Sequence, residues 1–191
     1  MKLINIINNY SEQGTAPRYY LKADTALLRN NDAYYIPDGV GRGIAEPHIV
    51  LKVSRLAKYI GERFAARCID GVMGGVAFTA IDKLDEARRE GMPWDEAVGF
   101  DHSSARSRDT LPAEAIAEGA IFYINGAERA RIALSDMRFT PDRVVSHLSE
   151  CMTLRIGDLI YLGAPAKFEA KAGDNYRLTI GDHTLLNFDI K

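Results

Sequence analysis

Apolar and polar positions alternate with a period of two along much of this chain, the spacing that places every second side chain on one face of a strand. Residues 1–8 show it first, and residues 19–22, which include Tyr19 and Tyr20, read as a short aromatic strand. Residues 8–17 between them are polar and rich in turn formers, so a loop joins the two. A turn is expected at 30–32. The glycine-rich residues 38–43 lack the strand before and helix after of a phosphate-binding loop, so they read as a turn too. Residues 49–53 predict a buried strand, and residues 72–80 a central one whose Gly74-Gly75 pair marks a bulge or a close approach.

Helical spacing is confined to a few segments. Leu56, Ile60 and Phe64 predict a helix over 55–66, a charged helix over 84–90 ends at Gly91, and 92–97 reads as a helical turn with Pro93 at its first position. Thr140-Pro141-Asp142 opens a better-marked helix, with a hydroxyl cap, a proline in the first turn and an acid near the positive end of the dipole. Its apolar face gathers Val144, Val145, Leu148, Cys151 and Met152, which predicts a buried free thiol at Cys151. Asn125-Gly126, between apolar segments at 120–124 and 127–133, is the clearest hairpin signal, because both residues accept the positive φ of a type I′ turn. Further strands are expected at 158–162, 176–180 and 185–188, with Gly181-Asp182 turning between the last two. Residues 101–112 alternate Arg and Asp and read as a loop or lid rather than a strand.

The strand-rich pattern and a length of 191 residues predict one domain over 1–191, with about the first 20 residues forming a short strand and a lid-like loop. A net charge of −2 makes no case for nucleic acid or an anionic membrane as partner. No apolar run approaches the roughly 18 residues of a membrane span, and residues 1–8 are too short and polar for a signal sequence. A cytoplasmic location is therefore expected. Cys68 and Cys151 lie far apart and form no CxxC pair.

Chemistry concentrates at Glu46 and His48. On a strand, positions two apart share a face, so both can converge on one ion. A carboxylate with an imidazole suits Zn²⁺ or Mn²⁺ better than Mg²⁺, which takes hard oxygen ligands. Asp82 is a candidate third ligand or catalytic acid. Asp101 and His102 form a candidate acid–base pair in the expected lid, and Lys167 is a candidate anchor for an anion. His147 reads as part of a solvated helix face, and Trp94 and the tyrosine pairs as core or interface aromatics.

From Glu46 to Arg55, and again in Gly157-Asp158-Leu159-Ile160-Tyr161-Leu162-Gly163-Ala164-Pro165, the chain resembles the fumarylacetoacetate hydrolase superfamily. Residues 21–28, Gly91-Met92-Pro93-Trp94 with Phe100-Asp101, Ile124-Asn125-Gly126, Ser135-Asp136-Met137 and Gly173-Asp174 extend the match in order across nearly the whole length. The resemblance implies an α+β, mainly β fold, a mixed β-sandwich roll with a few short helices, usually a homodimer. It also implies a divalent ion, Mg²⁺ in the family, on three carboxylates, where it polarises a 1,3-dicarbonyl or oxaloacetate-like acid.

Carried over residue by residue, Glu46 matches the first ligand, His48 stands at the second and Ala77 at the third. Ile81, Leu84 and Val98 stand where the family has an Arg, a Gln and a Lys; Gln13 and Ala16 stand where it has a His–Glu dyad. Ala164 replaces the Thr of a carboxylate-holding turn, close to Lys167. The first expectation is thus a catalytically impaired or inactive homodimeric binding or regulatory protein. A second is a divergent metal-dependent hydrolase or decarboxylase cleaving a C–C bond, through Glu46, His48 and Asp82. A third is a metal-free pocket in which Lys167 or Arg18 holds a small carboxylate ligand.

Overall fold

Strand pairing organises the protein, seen in a computed structural model that describes residues 1–29 and 31–191. The chain begins with β1 (Leu3–Ile6), β2 (Tyr19–Lys22) and β3 (Leu27–Leu28), then makes the two long strands β4 (Gly43–Val53) and β5 (Ile69–Ala80). Helices α1 (Ile81–Glu90) and α2 (Asp95–Val98) follow, then β6 (Ser104–Arg106), the hairpin of β7 (Ala120–Ile124) and β8 (Ala127–Ile132), and α3 (Pro141–Cys151). Four strands close the fold: β9 (Leu159–Tyr161), β10 (Phe168–Glu169), β11 (Asn175–Ile180) and β12 (His183–Asp189). The larger sheet runs β2-β1-β9-β4-β5-β6-β3, with β10 also on β4, and the smaller one runs β12-β11-β7-β8. β1–β9 and β3–β6 are parallel pairs and the remaining pairs are antiparallel, so the large sheet is mixed. The protein is mainly β, a curled half-barrel sheet packed on a small second sheet, as the fold expectation had it.

The period of two divides the large sheet into two faces. Ile4, Ile6, Ala45, Ile49, Leu51, Val72, Val76 and Phe78 face the small sheet and α3 and join the main core. Phe78 stacks on Tyr34, ring centroids 3.8 Å apart. Leu3, Val50, Met73, Leu159 and Tyr161 on the other face form a second apolar cluster within the curl. Gly75 is required there: a Cβ would stand 2.5 Å from Val50 Cγ2 and 2.7 Å from Tyr161 Cε1. The expected close approach at this glycine pair holds, while the irregularity in the β4–β5 ladder falls at Lys52/Val53.

Local signals performed well where backbone chemistry dominates. Asn125 and Gly126 take φ of 53° and 79° at the tip of the β7–β8 hairpin. Thr140 caps α3, its side chain accepting from the Arg143 N–H at 3.2 Å. Elsewhere tertiary contacts overrode the pattern. Instead of a helix over 55–66, Ala57 and Leu154 exchange backbone hydrogen bonds, Tyr59 sits at φ 52°, and only Glu62–Cys68 winds into a 3-10 helix. The polar residues 101–112 contribute β6, whose small Ser104 and Ala105 pair with Ala77 and Val76 of β5, and Leu111 bridges Val72. α1 begins at Ile81 rather than at 84, and Pro93 stands ahead of α2 because Trp94 is its cap. Cys151 is exposed at the last residue of α3, beyond the turn that Leu148 anchors; Cys68 is the buried thiol. The turn expected at 30–32 includes Asn30, which lies outside the described residues.

Candidate functional site

At one end of the curl, β4 leaves a window. Its edge pairs with β10 at residues 44–45 and with β9 at 50–52, so no strand covers residues 46–49 on that side. Pro47 occupies this window, where a missing N–H forfeits no ladder bond on the open edge. Glu46 and His48 point into the curl beside it, as their spacing predicted, and each is already engaged by another partner.

Glu46 Oε1 pairs with Lys167 Nζ at 2.6 Å. The carboxylate is mostly buried, while Lys167 reaches it from an exposed position on the segment after β9. His48 is 3% exposed, and its Nδ1 accepts the Gly163 N–H at 3.1 Å. The neutral ring therefore carries its proton on Nε2, which is buried without a partner. Burial pulls the His48 pKa down to about 3, and the nearby Lys22 and Lys167 ammonium groups push it the same way.

Lys22 lies beneath this pair, fully buried, donating to the carbonyl oxygens of Phe78 and Ser103 at 3.0 and 2.6 Å. Burial lowers its pKa to about 7, opposed in part by the Glu46 charge. Tyr20, two residues earlier on the same face, has its phenol raised well above the usual range by burial and by Glu46. Sequence reasoning missed both residues as site groups. Their signal was present, since positions 20 and 22 share the face that Glu46 occupies once β1 and β9 bring β2 alongside.

A cavity of about 340 Å³ opens above Glu46. Ile44, Thr79, Tyr20, Glu46 and Lys167 form its floor and side, and Ile7, Ser11 and Gln13 from the N-terminal loop its rim. Ile81, Leu84 and Arg88 of α1, with Trp94 and Val98, complete the lining. Ile81, Leu84 and Val98 thus line this space without filling it, and Trp94 belongs to the pocket.

The remaining expected site residues lie apart from it. Asp82 is exposed and engaged by Arg42, accepting from Nε and Nη2 at 2.9 and 2.7 Å and from the Arg42 N–H at 3.0 Å. Asp101 and His102 form an exposed turn, His102 at φ 60°, and neither lines the cavity. Ala164 is half-buried beside Gly163 and presents a methyl group where the family resemblance implies a threonine hydroxyl. Arg18 is exposed, its backbone N–H bonded to Asn8 Oδ1, and does not line the cavity either.

This donor set does not fit a divalent ion. Glu46 is neutralised by Lys167, one His48 nitrogen already accepts an amide hydrogen, and Ala77, opposite Glu46 in the ladder, offers no oxygen. Two ammonium groups close by oppose a further positive charge. Among the described residues no three His, Cys, Asp or Glu side chains are grouped for a metal. What the arrangement can do is hold an anion: a lysine at the wall of a half-apolar cavity, with hydrogen-bonding groups from Tyr20, Thr79, Ser11 and Gln13.

Known proteins share this sequence pattern and fold. The family profile described as Fumarylacetoacetate (FAA) hydrolase C-terminal matches residues 4–190. Oxaloacetate tautomerase YcgM of Escherichia coli (strain K12) is 24% identical over 96% of this chain and 90% of its own. The mitochondrial oxaloacetate tautomerase of Bos taurus is 26% identical over 92% and 80%. The fumarylpyruvate hydrolase of Pseudomonas aeruginosa, solved in complex with Mn²⁺ and pyruvate, superposes with a TM-score of 0.90 at 20% identity, covering 100% of this chain and 89% of that one. No helix among the described residues is long and apolar enough to cross a membrane.

Proposed function

We propose, for a chain that belongs to the fumarylacetoacetate hydrolase family, a metal-independent role: it binds a small carboxylic acid in the cavity above Glu46 and is impaired in metal-assisted C–C bond chemistry. The observation that carries this reading is the Glu46–Lys167 ion pair at 2.6 Å. A lysine replaces the ion as the positive partner of the carboxylate that remains. An ammonium group can pair with a ligand carboxylate, but it holds no water poised for attack and offers no open coordination position. Asp82, held by Arg42, does not reach this centre as a third ligand, which argues against the divergent metal-dependent hydrolase or decarboxylase.

The relatives named as oxaloacetate tautomerases favour a keto acid or a similar small acid as the ligand class. As a binding or regulatory protein the chain would act as a homodimer. Exposed Leu56, Tyr59 and Ile156 flank the Ala57–Leu154 bridge and supply apolar surface for a second copy, which sedimentation at several concentrations tests.

The central test is thermal melting with Mg²⁺, Mn²⁺, Zn²⁺ or chelator, with and without oxaloacetate or pyruvate. A ligand specific for the native state raises stability by RT ln(1 + [L]/Kd). The expected result is a shift with carboxylate and none with metal. A specific metal shift removed by His48→Ala, or metal-dependent turnover, overturns the reading.

A further inference from the structure

The cavity wall carries few charged groups. Its charged lining groups are Glu46, Arg88 and Lys167. Arg88 lies on an exposed part of α1 and pairs with Asp85 at 3.7 Å, while Lys167 stands directly over the floor. With Arg88 turned to Asp85, Lys167 is the lining cation that a ligand carboxylate can share with Glu46. Ser11, Gln13, Tyr20 and Thr79 put hydrogen-bonding groups at the rim and floor, whereas the side opposite, Arg88 apart, is hydrocarbon and aromatic: Ile81, Leu84, Trp94 and Val98.

α1 repeats the message. No residue of this ten-residue helix is fully buried, and its half-buried stripe is Ile81, Leu84 and Ala87. Ile81 and Leu84 of that stripe turn to the cavity, where a ligand's apolar body would complete their burial. A second ligand carboxylate placed among these side chains would lose its water without gaining a partner.

Resting on the binding role proposed above, we infer that the pocket selects a monocarboxylate with a hydrocarbon or aryl body, its carboxylate on Lys167 and its body against Leu84, Ile81 and Trp94. Di-acids bind more weakly, because their second carboxylate falls at the apolar end. Glu46 acts as a built-in competitor for Lys167, so its removal tightens binding.

Trp94 is the only tryptophan in the chain, which makes its emission a report from the pocket wall. The experiment titrates it with hexanoate, with adipate, which has the same length and a second carboxylate, and with neutral hexanamide. Hexanoate is expected to saturate the signal at least tenfold more tightly than either. Each methylene added from butanoate to hexanoate should gain about fourfold. Lys167→Met should weaken hexanoate at least tenfold and leave hexanamide unchanged, and Glu46→Gln should tighten hexanoate.

Adipate binding as tightly as hexanoate while Lys167→Met weakens both would overturn the ligand class and leave the binding role standing. Hexanoate binding indifferent to Lys167→Met would overturn the anchor. No response to any carboxylate, oxaloacetate and pyruvate included, would overturn the binding role itself. Because Lys167 is exposed, an unchanged melting curve without ligand shows that the variant is folded.

Discussion

On β4, Ala45, Ile49, Leu51 and Val53 are at most 2% exposed and all join the main core, whereas Ile44, Glu46, His48, Val50 and Lys52 on the opposite face change character every second residue. The first face meets aromatic and aliphatic partners from two sheets and is apolar throughout. The second passes from a pocket wall to an ion pair, then a buried imidazole, then a small apolar cluster. One strand thus serves two purposes, because a period of two lets stability and chemistry be altered independently. Polar groups are tolerated on the inner face at a visible cost: Asn5 and Ser104, like His48, leave buried side-chain atoms without a protein partner.

The contrast can be broken from the core side first. Phe78→Ala removes a fully buried ring stacked on Tyr34 and should cost about 3–5 kcal/mol in urea unfolding, whatever ligand is present. The inner face should respond to acid instead. The folded His48 pKa of about 3 lies below its ordinary 6.5, so between these values the unfolded chain takes up a proton that the native protein refuses. Stability from this group is complete above pH 6.5 and falls as pH drops towards 3, by a few kcal/mol. His48→Gln, whose amide oxygen can still accept from Gly163, should flatten that part of the pH–stability curve. An unchanged slope would mean that the imidazole is not held neutral.

Smaller effects sharpen the comparison. Gly75→Ala pushes a methyl into Val50 and Tyr161 and should cost about 1–3 kcal/mol by overpacking the inner cluster. Thr140→Ala, remote from both faces, should lose about 1 kcal/mol through the missing helix cap, with carboxylate binding untouched. Arg42→Ala frees Asp82 and should alter neither ligand affinity nor metal response; a new metal response would return Asp82 to the site.

Much of the fold is legible in the residues themselves. The Asn125-Gly126 hairpin, the Thr140 cap and the i, i+2 placement of Glu46 and His48 all depend on neighbours a few residues apart, and each appears where its chemistry put it. The failures share an opposite cause. The helix over 55–66 gave way to backbone bonds with Leu154 and Ser149, about a hundred residues away, and residues 104–106 became a strand because β5 offered an edge. Cys151 is exposed because it is the last residue of α3, beyond Leu148 and Ser149, where the buried face of the helix stops.

The site divides along the same line. Periodicity and residue type determined that Glu46 and His48 share a face and that Ala77, Ile81, Leu84 and Val98 bring no charge, while the resemblance of its motifs pointed to the family fold. Only the tertiary structure decided that Lys167 takes Glu46, that Gly163 takes His48, that Lys22 is buried beneath them and that Trp94 stands at the pocket wall. Local sequence sets which groups a strand or helix can offer. Which of them meet across more than a hundred residues depends on how the sheet curls, and an ion pair at 2.6 Å exists only once that closure has been made.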